Sequence, residues 1–318
     1  MANVLLTQKC VRNCPYCFAK EHMEGKQFDD NLKWDDLIYI ADFFAVSKSD
    51  SIHLLGGEPT LHPDFCNICL YLLDRGFRIT VFTSGIMSPN KLKELESKLL
   101  GFAHEKLSFV CNVNDPLESP ESEIIRQKDF FSIFAKNINP GFNIYKPNFS
   151  LNFIFEYFKQ FPLLHKHIRI GLTHPIVGEK NVALSKADMP NMAKQFMSFV
   201  PYMLDNSITA GFDCGMPMCL FDDAELGKLY KMNKGRIKFS CGSAIDIGPD
   251  LSVWSCFPLA NHEKKSLYDF NSLHDITQYF SSKHNPIRNQ KYGIFQECAS
   301  CNYRNKELCA GGCLAHLL

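Results

Sequence analysis

A chain of 318 residues, 46% hydrophobic and 21% charged, has enough apolar mass for one large core with a smaller unit beside it, and its composition excludes a disordered chain. Its 34 basic and 34 acidic residues cancel, so no surplus exists to neutralise a phosphate backbone, and nucleic acid is excluded as a main partner. No apolar run reaches the roughly 20 residues that span a bilayer, and the start Met-Ala-Asn-Val-Leu-Leu-Thr lacks a charged segment ahead of an apolar one. A cytosolic protein with no membrane partner is expected.

In chain order, short apolar runs alternate with longer amphipathic stretches up to about residue 175, the rhythm of βα units around a parallel sheet. The pattern predicts strands at Asn3–Leu6, Ser51–Leu55, Arg78–Phe82, Leu107–Cys111, Phe149–Phe153 and Ile168–Leu172. Helices are predicted over Asp35–Phe44, over Asp64–Arg75 with Gly76 as C-cap, over Pro89–Leu99, and over Ser185–Leu204. The segment Pro116–Pro147 carries little periodicity. Six strands are too few for a closed eight-stranded barrel, so the expected fold is α/β, an open partial (β/α)6 TIM-like barrel over 1–205. Residues 206–318 read differently, with short runs, glycines and cysteines, and Gly248-Pro-Asp250 marks a hairpin between two β-like runs. Such a unit has little core and needs metal staples.

Fourteen cysteines in a reducing compartment point to metal or redox chemistry rather than disulfides. Three lie in the first 17 residues, eight between 214 and 313, and only Cys66, Cys69 and Cys111 between. Cys66, Cys69, Leu70 and Leu73 recur at helical spacing, and Cys111 lies in an apolar strand, so these three cysteines are read as core. Cys10-Val-Arg-Asn-Cys14-Pro-Tyr-Cys17 follows the first strand, on the side where barrel loops carry chemistry. Three thiolates are one short of the four that hold a [4Fe–4S] cluster, which leaves one iron open; spacing alone also admits a three-cysteine zinc knot. After the second strand comes Gly56-Gly57-Glu58-Pro59, where glycines let backbone approach a ligand and a carboxylate suits an ammonium group.

CxxxCxΦC with aromatic Tyr16, followed by this Gly-Gly-Glu-Pro, resembles the radical S-adenosylmethionine (SAM) superfamily. The resemblance implies that Cys10, Cys14 and Cys17 hold a [4Fe–4S] cluster whose open iron binds SAM. It further implies that Gly56, Gly57, Glu58 and Pro59 hold the SAM amino group, that the reduced cluster cleaves SAM to a 5′-deoxyadenosyl radical, and that this radical takes hydrogen from a substrate. Ser84 and Asn114, at the ends of the third and fourth strands, are the positions expected to meet SAM's carboxylate and ribose, with Gly171-Leu172 flanking adenine. Glu156 and His174, beyond the fifth and sixth predicted strands, are candidates for substrate contact, and no catalytic acid or base is assignable.

The C-terminal half carries Cys214, Cys219, Cys241, Cys256, Cys298, Cys301, Cys309 and Cys313, a count that satisfies two four-cysteine clusters or two zincs equally. The pattern is similar to the SPASM and twitch groups, whose C-terminal domains hold auxiliary [4Fe–4S] clusters. It departs from them in reading CxxCx7CxxxC and in placing Gly248 eight positions before Cys256. The resemblance implies one or two auxiliary clusters, the first on Cys241, Cys256, Cys313 and either Cys219 or Cys214, the second on Cys298, Cys301 and Cys309. The fourth ligand of the second is then the leftover upstream cysteine, another residue or nothing. The resemblance implies a peptide or protein substrate, as in ribosomal peptide maturation, with a flavodoxin- or ferredoxin-type electron donor. The alternatives are a twitch-type dehydrogenase of a small molecule, a formylglycine-forming sulfatase maturase and, more remotely, a non-catalytic zinc-binding protein.

Overall fold

The computed structural model describes residues 2–19, 31–213, 215–242 and 244–318. Seven strands alternate with six helices: β1 Ala2–Leu5, α1 Trp34–Val46, β2 Ser51–Leu55, α2 Phe65–Asp74, β3 Arg78–Thr83, α3 Pro89–Leu99 and β4 Leu107–Asn112 come first. They continue as α4 Glu121–Phe134, β5 Ile138–Ile144, α5 Asn152–Gln160, β6 His167–Leu172, α6 Met189–Asp205 and β7 Thr209–Phe212. Each of these strands pairs in parallel with the next. After α7 (Asp223–Met232), the hairpin β8 (Ile245–Ile247) and β9 (Ser252–Ser255) joins the free edge of β1, β8 parallel to it. β10 (Lys264–Ser266) follows antiparallel, and the last long helix is α8, Leu273–Lys291. The sheet order is β10-β9-β8-β1-β2-β3-β4-β5-β6-β7, an open partial barrel that runs across residue 205 into the cysteine-rich half.

Local chemistry accounts for most boundaries. Ser88 accepts a hydrogen bond from the Lys91 amide ahead of Pro89, capping α3. Gly76 takes a left-handed φ of 89° beyond α2, with its amide on the Leu73 carbonyl. Gly248 and Leu251 close the β8–β9 turn as expected from Gly248-Pro-Asp250, through Gly248 N–H to Ser252 O and Leu251 N–H to Gly248 O.

The fifth strand differs from expectation. Phe149–Phe153 is not a strand: the run enters α5, which buries Ile154, Phe155 and Tyr157 on one side. The true β5 passes through Pro140-Gly141 in the poorly periodic segment, where two turn-forming residues disguise it. Glu156 therefore sits mid-helix on the surface, paired with Lys159 at 2.8 Å, and not at a strand end. Ser185 does not begin α6; its hydroxyl bonds Asp188 ahead of the helix at 2.7 Å.

Alternation divides the barrel strands into two faces. Ile52, Leu54, Ile79, Val81, Phe109, Cys111, Ile168 and Ile170 pack under the helices with Cys66 and Cys69, all nearly inaccessible. The opposite face lines the barrel interior with His53, Thr80, Phe82, Ser108, Asn112, Asn143 and Arg169, a mostly polar and only partly buried surface unlike the packed lumen of a closed barrel. Among the described residues no helix is long and apolar enough to cross a membrane.

Candidate functional site

The loop bearing Cys10 leaves β1 beside the segment leaving β2. Leu6 N–H reaches Leu55 O, Gly57 N–H donates to Thr7 O at 2.9 Å, and Glu58 N–H to Lys9 O at 2.7 Å, so strand-like pairing continues almost to the first thiol. Only glycine fits there: a Cβ on Gly56 would stand 2.5 Å from Thr7 O, and one on Gly57 2.2 Å from Lys9 O. The Gly-Gly-Glu backbone and the Cys10 loop are thus one rigid unit.

Glu58 is placed otherwise than its type suggested. Its carboxylate is 1% exposed and accepts from five donors: Thr60 N–H and hydroxyl, the Thr83 hydroxyl at 2.6 Å, and Ser84 N–H and hydroxyl at 2.8 and 2.6 Å. Charge-assisted bonds of this number hold the β2 and β3 ends together. Within this chain Glu58 and Ser84 therefore serve each other, and the groups the loop presents to the mouth are backbone.

Cys10 is exposed and Cys14 and Cys17 are half-buried. The Cys17 amide donates to Cys14 O at 3.1 Å and the Arg12 amide to Cys10 Sγ at 3.5 Å. Desolvation pushes the Cys10 thiol up to about 11, and the neighbouring Glu58, Cys17 and Cys14 push the same way. A metal bound here would displace that proton. Arg12 extends to Glu123 on α4 (2.9 Å), tying the loop to the barrel wall. Tyr16, 8% exposed, donates its hydroxyl to Asn114 Oδ1 at 2.7 Å and stacks on Tyr145 at 4.7 Å. With Asn143, Lys146 and Phe149 these residues line a small cleft, partly open to solvent, at the β4–β5 ends. Pro59 opens the one-turn segment behind Glu58.

Deeper in the lumen, Arg169 lies between Gly141 and Gly211, its register partners on β5 and β7. Its Nε donates to Asp213 at 2.6 Å, Nη1 donates to Asn143 and Asn112 at 2.9 and 3.4 Å, and Phe82 lies 5.8 Å from the guanidinium carbon. Sequence reading overlooked it; the available signal was a charged residue on the inward register of a strand facing glycines. Gly171 is on that face too, where a Cβ would meet Asn143 Oδ1 at 2.3 Å. His174, fully buried, contacts His316 at 3.1 Å between ring nitrogens, joining the β6 end to the C-terminal segment; burial pushes His316 down to about 3, so it is neutral at physiological pH.

Of the later cysteines, Cys298, Cys309 and Cys313 are buried, Cys241, Cys256 and Cys301 half-buried, and Cys219 exposed; Cys214 lies outside the described residues. Cys313 packs with Leu314, Ala315 and Leu259, the last just beyond Cys256. Cys219 lies in the neighbourhood of Cys309, Cys298 and Cys301. Among the described residues no three His, Cys, Asp or Glu side chains converge as a single-ion site. The donor set, thiols in groups around two loops, is one that suits an iron–sulfur cluster, whose thiolates sit on separate irons.

The sequence model of the radical SAM superfamily matches residues 4–105. Over 95 residues the chain is 37% identical to the S-adenosylmethionine-dependent nucleotide dehydratase of Selenomonas ruminantium, covering 28% of this chain and 31% of that one. Over 151 residues it is 30% identical to human molybdenum cofactor biosynthesis protein 1, covering 46% of this chain and 23% of that one. The match thus spans a third or less of these relatives' length. Among solved structures, Streptococcus suis SuiB bound to its precursor peptide SuiA aligns with 99% of this chain and 72% of its own, at TM-score 0.66 and 16% identity. The AdoMet-bound anSMEcpe aligns with 98% of this chain and 89% of its own, at TM-score 0.64 and 16% identity. These two similarities concern the fold.

Proposed function

We propose, from the premise that residues 4–105 form a radical SAM domain, that this chain cleaves SAM on a cluster held by Cys10, Cys14 and Cys17 and acts on a peptide or protein substrate. The observation that supports the first part is the pairing of Gly57 and Glu58 amides with the backbone leading into Cys10, which would put a cluster and a SAM-holding edge on one rigid unit. A reduced [4Fe–4S] cluster with SAM on its open iron supplies the 5′-deoxyadenosyl radical that removes hydrogen from substrate. The chain's own residues orient and enclose. Thr7, Lys9 and the Gly56–Gly57 edge fix where the methionine end of SAM lies, and Tyr16 with Asn114 forms the wall toward the nucleoside. Ser84 acts through Glu58, holding the second loop in register.

A peptide substrate is supported by the open sheet, which leaves a polar lumen unclosed between β7 and β10, and by the whole-chain likeness in fold to SuiB, which was solved bound to its precursor peptide SuiA. The eight cysteines after residue 205 hold auxiliary iron–sulfur clusters in this reading, 1–205 and 206–318 acting as barrel and auxiliary unit, with a flavodoxin- or ferredoxin-type reductant. Arg169 favours a second reading, a small anionic molecule bound in the lumen as substrate of a dehydrogenase-type reaction. The sequence kinship to a nucleotide dehydratase supports it over 95 residues only.

The test is anaerobic purification of the full chain with assay of iron, labile sulfide and 5′-deoxyadenosine formed from SAM under dithionite. About eight or twelve irons per chain and deoxyadenosine formation are expected, since each cubane contains about four. Replacing Cys10, Cys14 and Cys17 together by alanine should remove about four irons and all deoxyadenosine. Stoichiometric zinc without sulfide would overturn the proposal. Candidate precursor peptides and anionic small molecules, compared for stimulation of SAM cleavage, separate the two substrate readings.

A further inference from the structure

Cys298, Cys301 and Cys309 wrap one short helical turn. Cys298 lies in the turn Gln296–Ser300, and Cys301 caps the turn Asn302–Asn305 by accepting from the Asn305 amide at 3.0 Å. The chain returns with the Cys309 amide on Tyr303 O at 3.3 Å. A side chain on Gly293 would press within 2.6 Å of Cys298 Sγ, and the Gly311 amide donates to Cys309 Sγ at 3.4 Å, the kind of bond that steadies a ligating sulfur. These three thiols are one short of a fully ligated cluster.

The connection between β7 and α7 runs to the same place. Cys219 precedes Phe221 by two residues, and Phe221 packs on Phe239 at 5.9 Å, while Phe212 contacts both rings at 6.0 and 5.8 Å. Phe239 is bridged to Cys309, and the Ala310 amide donates to Phe239 O at 3.4 Å. A second clamp joins the two segments where the Tyr303 hydroxyl donates to Asp223 Oδ1 at 3.0 Å. The thiol neighbourhoods agree with this path: Cys219 feels Cys309, Cys298 and Cys301, Cys298 feels Cys301 and Cys309, and Tyr303 feels both Cys301 and Cys219. A few residues earlier the same connection goes elsewhere. Gly215, at φ 68°, lies against the Cys313 backbone, with 3.0 Å from its would-be Cβ to Cys313 N.

We infer that Cys219, Cys298, Cys301 and Cys309 form one four-thiolate iron–sulfur site, its fourth ligand supplied from upstream by the β7–α7 connection. The inference rests on the proposed function, which places auxiliary clusters in residues 206–318, and sorts their ligands. It separates this site from the one that Cys256 and Cys313 flank, and it makes the site fully ligated. Such a cluster carries electrons or holds structure, and leaves no iron for substrate.

The experiment uses the full chain with Cys10, Cys14 and Cys17 replaced by alanine, so that only auxiliary clusters contribute iron and electron paramagnetic resonance. In that background Cys298→Ala and Cys256→Ala should each abolish or shift a different reduced-cluster signal. Cys219→Ala should alter the signal that Cys298→Ala alters, with up to about four irons lost per chain, and leave the Cys256-dependent signal in place. Cys219→Ser, which keeps a weak oxygen ligand, should hold more iron than Cys219→Ala and shift the same signal; circular dichroism checks that both variants fold. Iron unaffected by Cys219→Ala, a change in the Cys256-dependent signal instead, or zinc in the Cys298 site would each overturn this inference alone. Absence of iron and sulfide from the whole background would overturn the auxiliary-cluster reading with it.

Discussion

Cys10 follows β1 on backbone whose carbonyls receive the Gly57 and Glu58 amides, whereas Cys298, Cys301 and Cys309 lie on or beside turns of five and four residues with few strand bonds near them. The first set is held by a sheet whose core, with Phe44, Phe65, Phe109 and Phe130 fully buried, forms without it. The second meets that core at its margin, where Cys309 and Ile294 are buried and Phe295 and Tyr303 pack against it, without a sheet beneath. The difference teaches that one site is placed on a finished fold and the other helps to make its fold.

Removing the metal is the strongest way to break that contrast. Chelation of iron from the anaerobic holoprotein should expose residues 257–318 to limited proteolysis while a fragment containing the barrel persists, read by mass spectrometry. Equal protection of both halves after chelation would refute the contrast. Full-length unfolding on chelation would refute it from the other side.

How much was legible follows the same division. Ser51–Leu55 and Pro89–Leu99 were readable to the residue because strand alternation and a Ser-Pro cap are local signals. β5 was not, since Pro140 and Gly141 suit a turn by themselves and are tolerated in a strand only through neighbours on both sides. Four phenylalanines between 149 and 158 mimic a buried strand, yet three of them lie in a helix that buries Ile154, Phe155 and Tyr157. At the site, residue types were legible and orientations were not. Glu58 announces a carboxylate at a strand end, but Thr60, Thr83 and Ser84 turn it inward. Which cysteines meet depends on Phe221, Phe239 and Tyr303, which carry no metal-ligand signature.

The seam between the regions supplies the next test. Asp246 on β8 is 1% exposed and receives Asn3 Nδ2 from β1 at 2.6 Å, while burial pushes its carboxyl up to about 7. Unfolded, it ionises near 3.8, so between about pH 4 and 7 the folded state holds a proton the unfolded state has lost. Stability contributed by this group therefore falls as pH rises through that window and levels off above it. The total is up to about 4 kcal/mol at 1.36 kcal/mol per pKa unit. Asp246→Asn should match wild type near pH 4 and exceed it near pH 8 in denaturant unfolding under constant iron loading. A variant less stable at pH 8 would show that the seam needs the charge.

Gly57→Ala addresses the rigid unit directly. A methyl group 2.2 Å from Lys9 O must part the two loops. A displacement near 1 Å of reacting groups costs about 100-fold in rate. Deoxyadenosine formation should fall by about that factor, with auxiliary iron unchanged. Normal activity would mean that the Cys10 loop is not fixed through Gly57.

The smallest expected effect separates packing from polarity at the mouth. Tyr16 contributes a ring stacked on Tyr145 and a hydroxyl on Asn114. Tyr16→Phe keeps the ring, one position from Cys17, and removes only the bond, worth about 1 kcal/mol. If Asn114 is held for SAM by this hydroxyl, KM for SAM should rise about fivefold, with kcat and iron content unchanged. Loss of iron would show instead that the hydroxyl supports the cluster loop, tying the two roles that Glu58 and Cys10 otherwise keep apart. An unchanged KM would leave the stack, and not the Tyr16–Asn114 bond, as what shapes this wall of the cleft.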